Sequence, residues 1–394
     1  MKLIVVNKLG DYSGGSRHVR EVTKRLTKYF DVVYVPYADV YTEDGSIDDL
    51  KKLEGIFKIP SEAYKERKFK PLLFPRSAKF YKEYVDEFDI YGDFIYDPDF
   101  VTPEAVFLSN KLDVSLGATL HEPIYSLSQS ISYTYYSLKP FVYRSIDYLL
   151  GRTYWLYAIS RSKVKFLKRA KYIKFIAGVS KGTLDSIKLR NVRKVLLNPP
   201  NGVDYYLDHE SEKDDYIIFW TTLIPSKGIF NLINILNILK QKGVRIKLKV
   251  AGKFLYPRFE RLFFDYIKKK KLDVEYLGFI KEDHKLREII ERAKLLVYPS
   301  LADGFSLVIL ESLALGTPVI AYSIPTVYSA FNTLPAVRFV RPGDINTFAT
   351  QIERSLKDEE FLRSPFEDSV REFVKFHTWD NVAEGIAKII KESV

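Results

Sequence analysis

Short Val/Ile-rich runs alternate with longer amphipathic stretches, once near the start of the chain and again from residue 216 onward. This alternation constrains the fold more than any other feature. A brief run of branched apolar residues suits a strand buried on both faces, and such strands belong to parallel sheets covered by helices. LIVV, DVVYVPY, VSLGATL and FIAGVS make a first array, while DYIIFWTTLI, RIKLKVAG, VEYLGFI, KLLVYPS and TPVIAYS make a second. Between the runs lie segments with helical spacing, among them 17–29 and IFNLINILNILKQKG. The expected fold class is α/β, with two Rossmann-like domains that share an architecture but no sequence repeat.

The arrays separate at LNPPNGVDYYLDHESEKDD. Pro199-Pro200-Asn201-Gly202 is turn chemistry, and the acidic run after it reads as a linker. The expected division is a first domain over 1–203, a second over 204–370, and a helical segment over 371–394 that packs back on the first. A chain of 394 residues with 46% hydrophobic content can fill two cores. No run of about 18 uncharged apolar residues occurs, so no membrane-spanning helix is expected. Met1 to Val6 reads as a first strand rather than a signal peptide. There is no cysteine, and the five histidines lack ligand spacing, so no metal site and no cofactor are expected. The net charge of +11 favours anionic partners. Two basic-aromatic stretches, 65–84 and 161–176, could rest on an anionic membrane or grip a nucleic-acid backbone. A core-packed helix with a solvated charged side serves equally well.

The chemistry concentrates in YPSLADGFSLVILESLALG, residues 298–316. Glu311 stands among Leu307, Val308, Ile309, Leu310, Leu313, Ala314 and Leu315, where a carboxylate is costly unless something hydrogen-bonds it. A ribose diol can donate two hydroxyl hydrogens to one carboxylate. Asp303 precedes Glu311 by eight positions, with a Gly-Phe-Ser turn between. The amides of Phe305, Ser306 and Leu307 would open a helix there, and a helix start offers unpaired donors to a phosphate. Lys227-Gly228 lies in a loop before a helix, where an ammonium can reach a pyrophosphate. Gly14-Gly15 also precedes a helix and permits close approach of backbone to ligand. A G-x-G-x-x-G dinucleotide fingerprint is absent, because the glycines fall at 10, 14 and 15. His121 follows a predicted strand end, where it can donate a hydrogen bond.

Taken together, these residues resemble the retaining glycosyltransferases of family 4, which have the GT-B fold. The family pattern Pro-Ser-x-x-Glu-Gly-Phe-Gly-Leu-x-x-x-Glu-Ala is matched by PSLADGFSLVILESLA, with Asp303 for the first Glu and Ser306 for the second Gly. The family's Gly-Arg-Leu-x-x-x-Lys-Gly aligns with the segment ending Lys227-Gly228, with Thr222 at the arginine position. The resemblance implies two domains facing a central cleft that holds the active site. It implies sugar transfer from a UDP- or GDP-sugar to a glycan, lipid-linked or other acceptor, with retention and without a metal. The implied roles are His121 and Asp303 at the donor sugar, Glu311 at the ribose, and Lys227 with the 305–307 amides at the diphosphate. Thr222 can bond a phosphate without charge, Lys253 is the candidate to replace the missing cation, and Gly14 and Gly15 face acceptor and donor phosphate. AGVSKGTLDSI with Ser180, the Asn-Gly-Val-Asp turn and the tail with Trp379 fit the same family. A cytoplasmic enzyme with peripheral contact to anionic membrane is the expectation. Two other readings stay open: a nucleotide-sugar-binding protein without transfer, motivated by Thr222, and a nucleic-acid-binding protein, less expected and motivated by charge.

Overall fold

The computed structural model describes residues 1–7, 14–36, 90–124, 127–138, 153, 172–189 and 191–394. The basic stretch 65–84, residues 161–171 of the second basic stretch and Gly10 of the first loop lie outside them. The chain divides into two compact units, one of residues 1–124, 159–202 and 378–394, the other of 125–158 and 203–377.

The first unit contains β1 (Lys2–Asn7), α1 (Gly14–Leu26), β2 (Asp31–Pro36), β3 (Phe94–Asp97), α2 (Pro103–Leu112) and β4 (Ser115–Leu120). Helix α3 (Leu127–Leu138) clusters with the second unit. The first unit resumes with β5 (Ile173–Gly178), α4 (Lys181–Asp185) and β6 (Arg193–Leu196). Its sheet is parallel throughout, in the order β2-β1-β3-β4-β5-β6. Ile4, Val6, Val33, Ile95, Leu116, Leu120 and Ile176 from the strands pack with Ala105 and Leu108 of α2. Both faces of these strands are covered, which is why their sequences are near-continuous apolar runs rather than alternating ones. Helix starts are set by side chains: Thr102 accepts from the Ala105 amide with Pro103 in the first turn, and Ser180 accepts from the Thr183 amide.

The second unit runs β7 (Tyr216–Trp220), α5 (Ile229–Gln241), β8 (Lys247–Ala251), α6 (Pro257–Lys270), β9 (Val274–Gly278), α7 (Asp283–Glu291), β10 (Leu295–Tyr298), α8 (Leu307–Ala314), β11 (Val319–Tyr322), α9 (Pro325–Phe331), β12 (Val337–Val340), α10 (Ile345–Ser355), α11 (Glu359–Arg363) and α12 (Asp368–Phe376). All its strands are parallel, in the order β12-β11-β10-β7-β8-β9. The strand order reverses between β7 and β10. In doubly wound sheets a ligand binds at that switch point, outside the carboxyl ends of the strands.

The units do not divide at the expected residues. The tail changes unit between His377 and Thr378 rather than at 371, so α12 stays with the second unit while α13 (Trp379–Lys391) joins the first. Two capping groups mark the break: the amide of His377 closes α12 onto the Phe373 and Val374 carbonyls, and the Thr378 side chain opens α13 by accepting from the Asn381 amide. Helix α3 lies within the expected first domain by residue number, yet it packs on α5 and on the one-turn 3₁₀ helix Pro225–Lys227.

Candidate functional site

In the second unit the segments after β7 and β10 meet at the switch point. After β7 the chain makes the 3₁₀ turn Pro225–Lys227 and passes through Gly228, at φ 86°, into α5. The Leu301 amide donates to the Ser226 carbonyl at 2.9 Å, tying the two loops together. Gly228 is required by space as well as by φ, since a Cβ there would lie 1.9 Å from the Pro299 carbonyl oxygen. This close approach accounts for the glycine of the Lys-Gly pair.

Lys227 reaches across to the β10 loop. Its Nζ donates to the Ala302 carbonyl at 2.8 Å and to Asp303 Oδ2 at 3.0 Å. The Tyr298 hydroxyl donates to the same Oδ2 at 2.7 Å. Asp303 Oδ1 accepts from the amides of Gly304 at 3.0 Å and Ser306 at 3.4 Å. Thr326 Oγ1 donates to the Asp303 carbonyl at 2.6 Å. Burial, with the Asp303 charge beside it, pushes the Tyr298 hydroxyl up to about 12, so it remains a donor at neutral pH. Neither Tyr298 nor Thr326 is marked by the sequence as anything but a strand end and a helix start.

Ser306 sits at φ 60°, in the left-handed region, and its side chain accepts from the Ile309 amide at the start of α8. The glycine that Ser306 replaces in the family pattern is thus a conformational requirement. Asn and Asp visit this region most readily among other residues; Ser306 compensates by capping the helix. Glu311 follows in α8, 3% exposed, beside Ile309, Leu310 and Leu313. Phe305 is also buried, with its ring stacked on His377 at 5.7 Å and near Phe331 at 5.0 Å. Thr222 and Lys253 come from adjacent strand ends: the Leu223 amide donates to the Lys253 carbonyl at 3.0 Å, and Lys253 is exposed. Lys227, Thr222, Lys253, Asp303, Glu311 and the 305–307 segment therefore share one unit and one end of one sheet.

His377, which packs beside Phe305, gives a testable pH dependence. Burial lowers its pKa to about 4 although the Phe373 carbonyl, 2.7 Å from Nδ1, opposes that shift. The folded state takes up this proton less readily than the unfolded chain. Stability is therefore fully present above an ordinary histidine pKa of about 6.5 and falls as pH drops toward about 4. His377 alone is expected to cost about 2–3 kcal/mol between neutrality and pH near 4.5. Urea unfolding at the two pH values, on the native chain and on His377→Gln, measures it; equal pH slopes in the two proteins would contradict this origin.

The first unit holds a separate group. Gly14 and Gly15 open α1, whose His18 is fully buried. His18 Nδ1 lies 2.9 Å from Asn201 Oδ1. Its ring meets His121 edge-on at 4.3 Å and Trp379 at 5.7 Å. Burial, then the neighbouring His121, holds the His18 pKa well below the ordinary range, so His18 is neutral. His121 Nε2 donates to the Pro98 carbonyl at 3.0 Å. Four motifs that the sequence presents separately, at 14–18, 121, 201 and 379, thus converge. His18 itself is not among the expected site residues; its place in the buried stripe with Val22 and Leu26 is the signal that marks it. Among the described residues no cluster of three or more His, Asp or Glu side chains could hold a metal ion. No described helix is long and apolar enough to cross a membrane.

Two doubly wound parallel units define the chain as an α/β protein of the GT-B fold. Known structures of this class match it along its length. Anabaena HepE in complex with UDP and glucose matches at TM-score 0.71 and 15% identity, covering 100% of both chains. WaaG, a glycosyltransferase involved in lipopolysaccharide biosynthesis, matches at TM-score 0.67 and 14% identity, covering 99% of each. The model of the family glycosyl transferases group 1 matches residues 208–373. An uncharacterized glycosyltransferase of Methanocaldococcus jannaschii is 27% identical over 246 residues, 61% of this chain and 63% of that protein. A second from the same organism matches over 45% of its length, so the chain spans less than two thirds of either. The O-antigen chain mannosyltransferase RfbU of Salmonella typhimurium is 24% identical over 285 residues, 71% of this chain and 74% of the relative.

Proposed function

We propose that this protein transfers a sugar from a nucleoside diphosphate sugar to an acceptor, with the donor held on the second unit. The observation that carries the reading is the convergence at the β7/β10 switch point. Lys227, the start of α8 and two carboxylates of different environment all stand there. Lys227 and the 305–307 amides would take the diphosphate, where preorganised positive charge also stabilises the leaving group. Asp303 would take sugar hydroxyls, and the buried Glu311 the ribose diol. Lys253, exposed on the strand end beside Thr222, would supply the charge that Thr222 lacks. In the first unit His121 keeps the sugar-facing role and Gly14-Gly15 the acceptor side. Retention of anomeric configuration and activity without added metal belong to the same proposal, as do a cytoplasmic location and an acceptor that is a glycan or a lipid-linked molecule. Relatives named as mannosyltransferases and a fold neighbour crystallised with UDP-glucose point the first trials at GDP-mannose and UDP-glucose.

Thermal shift with UDP-, GDP- and ADP-sugars is the first experiment, because a ligand of the folded state raises the apparent stability. Transfer or slow donor hydrolysis should then appear with the stabilising donor and persist in EDTA. Tight donor binding with neither reaction would favour the second reading, a binding protein without transfer, which Thr222 at the arginine position motivates. Paired variants separate the two carboxylates. Glu311→Ala is expected to weaken the free nucleoside diphosphate by about tenfold or more, since a hydrogen bond to a charged group contributes about 1.5–3 kcal/mol. Asp303→Asn should abolish most transfer yet leave nucleoside diphosphate affinity equal or tighter, because it releases Lys227 from its ion pair. Equal losses of nucleotide affinity in both variants would contradict the assigned roles.

A further inference from the structure

The surface from Leu255 to Lys271 has a character that the donor site does not use. Six basic residues stand there against two acidic ones, Glu260 and Asp265. Helix α6 turns Phe259 and Phe263 into the core. Its outward face carries Arg258, Arg261, Lys268 and Lys269, all exposed. Among these cations three large apolar side chains also face solvent: Leu255 at 53%, Tyr256 at 45% and Phe264 at 41% exposure. A purely solvated basic face would explain the charges but not the apolar groups. A polyanion such as nucleic acid would satisfy the cations and leave Leu255 in water. A layer that is anionic at its surface and apolar just beneath satisfies both.

We propose that this face of the second unit docks on an anionic lipid bilayer. Leu255, Tyr256 and Phe264 enter the headgroup layer, while Arg258, Arg261, Lys268 and Lys269 pair with lipid phosphates. The contact is shallow, because the apolar stripe of α6 already packs in the core and only these three side chains are available. Each cation near such a surface adds an attraction that salt screens, and the apolar groups add an increment that salt does not screen. Lys253 stands just before this surface, so docking would bring the β8 end of the proposed donor site close to the lipid. The proposal does not depend on sugar transfer and is read without it.

The test is co-sedimentation of the full chain with phosphatidylcholine vesicles, with and without phosphatidylglycerol. Binding is expected only with phosphatidylglycerol, and it should weaken with salt. A charge variant, Arg258→Glu with Arg261→Glu and Lys268→Glu, should weaken partitioning by at least about tenfold. An apolar variant, Leu255→Ser with Tyr256→Ser and Phe264→Ser, should weaken it at high salt most of all. Circular dichroism and the thermal transition establish that both variants are folded. As an independent reading, Tyr256→Trp should show an added emission component, taken as the difference from the native chain, that shifts to the blue on adding anionic vesicles. Undiminished vesicle binding by the charge variant would overturn the proposal. So would an unshifted difference emission of Tyr256→Trp in the bound state, or preferential capture of the chain by a DNA oligonucleotide over the vesicles.

Discussion

Replacing Lys227 by alanine is expected to weaken nucleoside diphosphate binding by about ten- to a hundredfold and to lower transfer at least as much. The magnitude follows from a charge-assisted hydrogen bond, about 1.5–3 kcal/mol, with about 1.4 kcal/mol per tenfold in affinity. Position supports it. Lys227 ends a single 3₁₀ turn at the switch point, and its ammonium already meets two oxygens, the Ala302 carbonyl and Asp303 Oδ2. The geometry holds the cation in place before any donor arrives, so little ordering remains to be done on binding. Folding stability should fall less than donor affinity, because Asp303 keeps the bonds from the Tyr298 hydroxyl and the Gly304 amide when the ammonium is removed. Lys227→Arg should restore only part of the affinity, since a planar fork cannot occupy the site of a point charge without moving its neighbours. Titration calorimetry with UDP and GDP on the three proteins decides the matter. Unchanged affinity in Lys227→Ala would remove the ammonium from the donor site and leave its pairing with Asp303 purely structural.

The sequence carried most of the fold because its apolar runs are local signals. The strands expected at LIVV, VSLGATL, FIAGVS and KLLVYPS appear as β1, β4, β5 and β10. Their continuous burial is the parallel-sheet signature that the pattern implied. That the candidate residues of the second unit come together was legible for the same reason. Lys227 and Asp303 each lie just beyond a strand, and a doubly wound sheet gathers such loops at one edge. What the sequence could not show depends on partners far along the chain. His18 reads as one polar residue on an apolar helix stripe until Asn201, 183 positions away, is seen beside its ring. Tyr298 reads as the last residue of a strand, and only the turn that follows bends Asp303 back onto its hydroxyl. Helix α3 has no sequence mark of its allegiance: Leu127, Ile131 and Tyr135 are exposed while Ser130 and Thr134 are buried, the reverse of an ordinary amphipathic pattern. The departure at Ser306 was visible as a letter, but its meaning was not. The backbone there needs a positive φ, and serine accepts it while capping α8.

Gly228→Ala is expected to be strongly destabilising, and Gly243 supplies its control. Both glycines have similar left-handed backbones, φ 86° at Gly228 and 79° at Gly243. Both therefore bear the backbone cost of an L side chain in that region, about 1–2 kcal/mol. They differ in space. A Cβ at Gly243 would meet nothing within 4 Å, whereas at Gly228 it would fall 1.9 Å from the Pro299 carbonyl oxygen and 2.6 Å from its carbon. The opposing atoms are backbone, next to the tight Ser300–Asp303 turn, so the strain cannot be relieved by rotating a side chain. Gly228→Ala should thus lose about 3 kcal/mol or more, against about 1 for Gly243→Ala, as read from urea unfolding midpoints. The same displacement moves the 3₁₀ turn and Lys227 away from Asp303. Donor affinity should consequently fall in Gly228→Ala even under conditions where the protein remains folded, and stay unchanged in Gly243→Ala. Similar losses of stability in the two variants would show that backbone conformation, not the approach to Pro299, fixes the glycine. A destabilised Gly228→Ala that retained full nucleotide affinity would separate the Lys-Gly turn from donor binding.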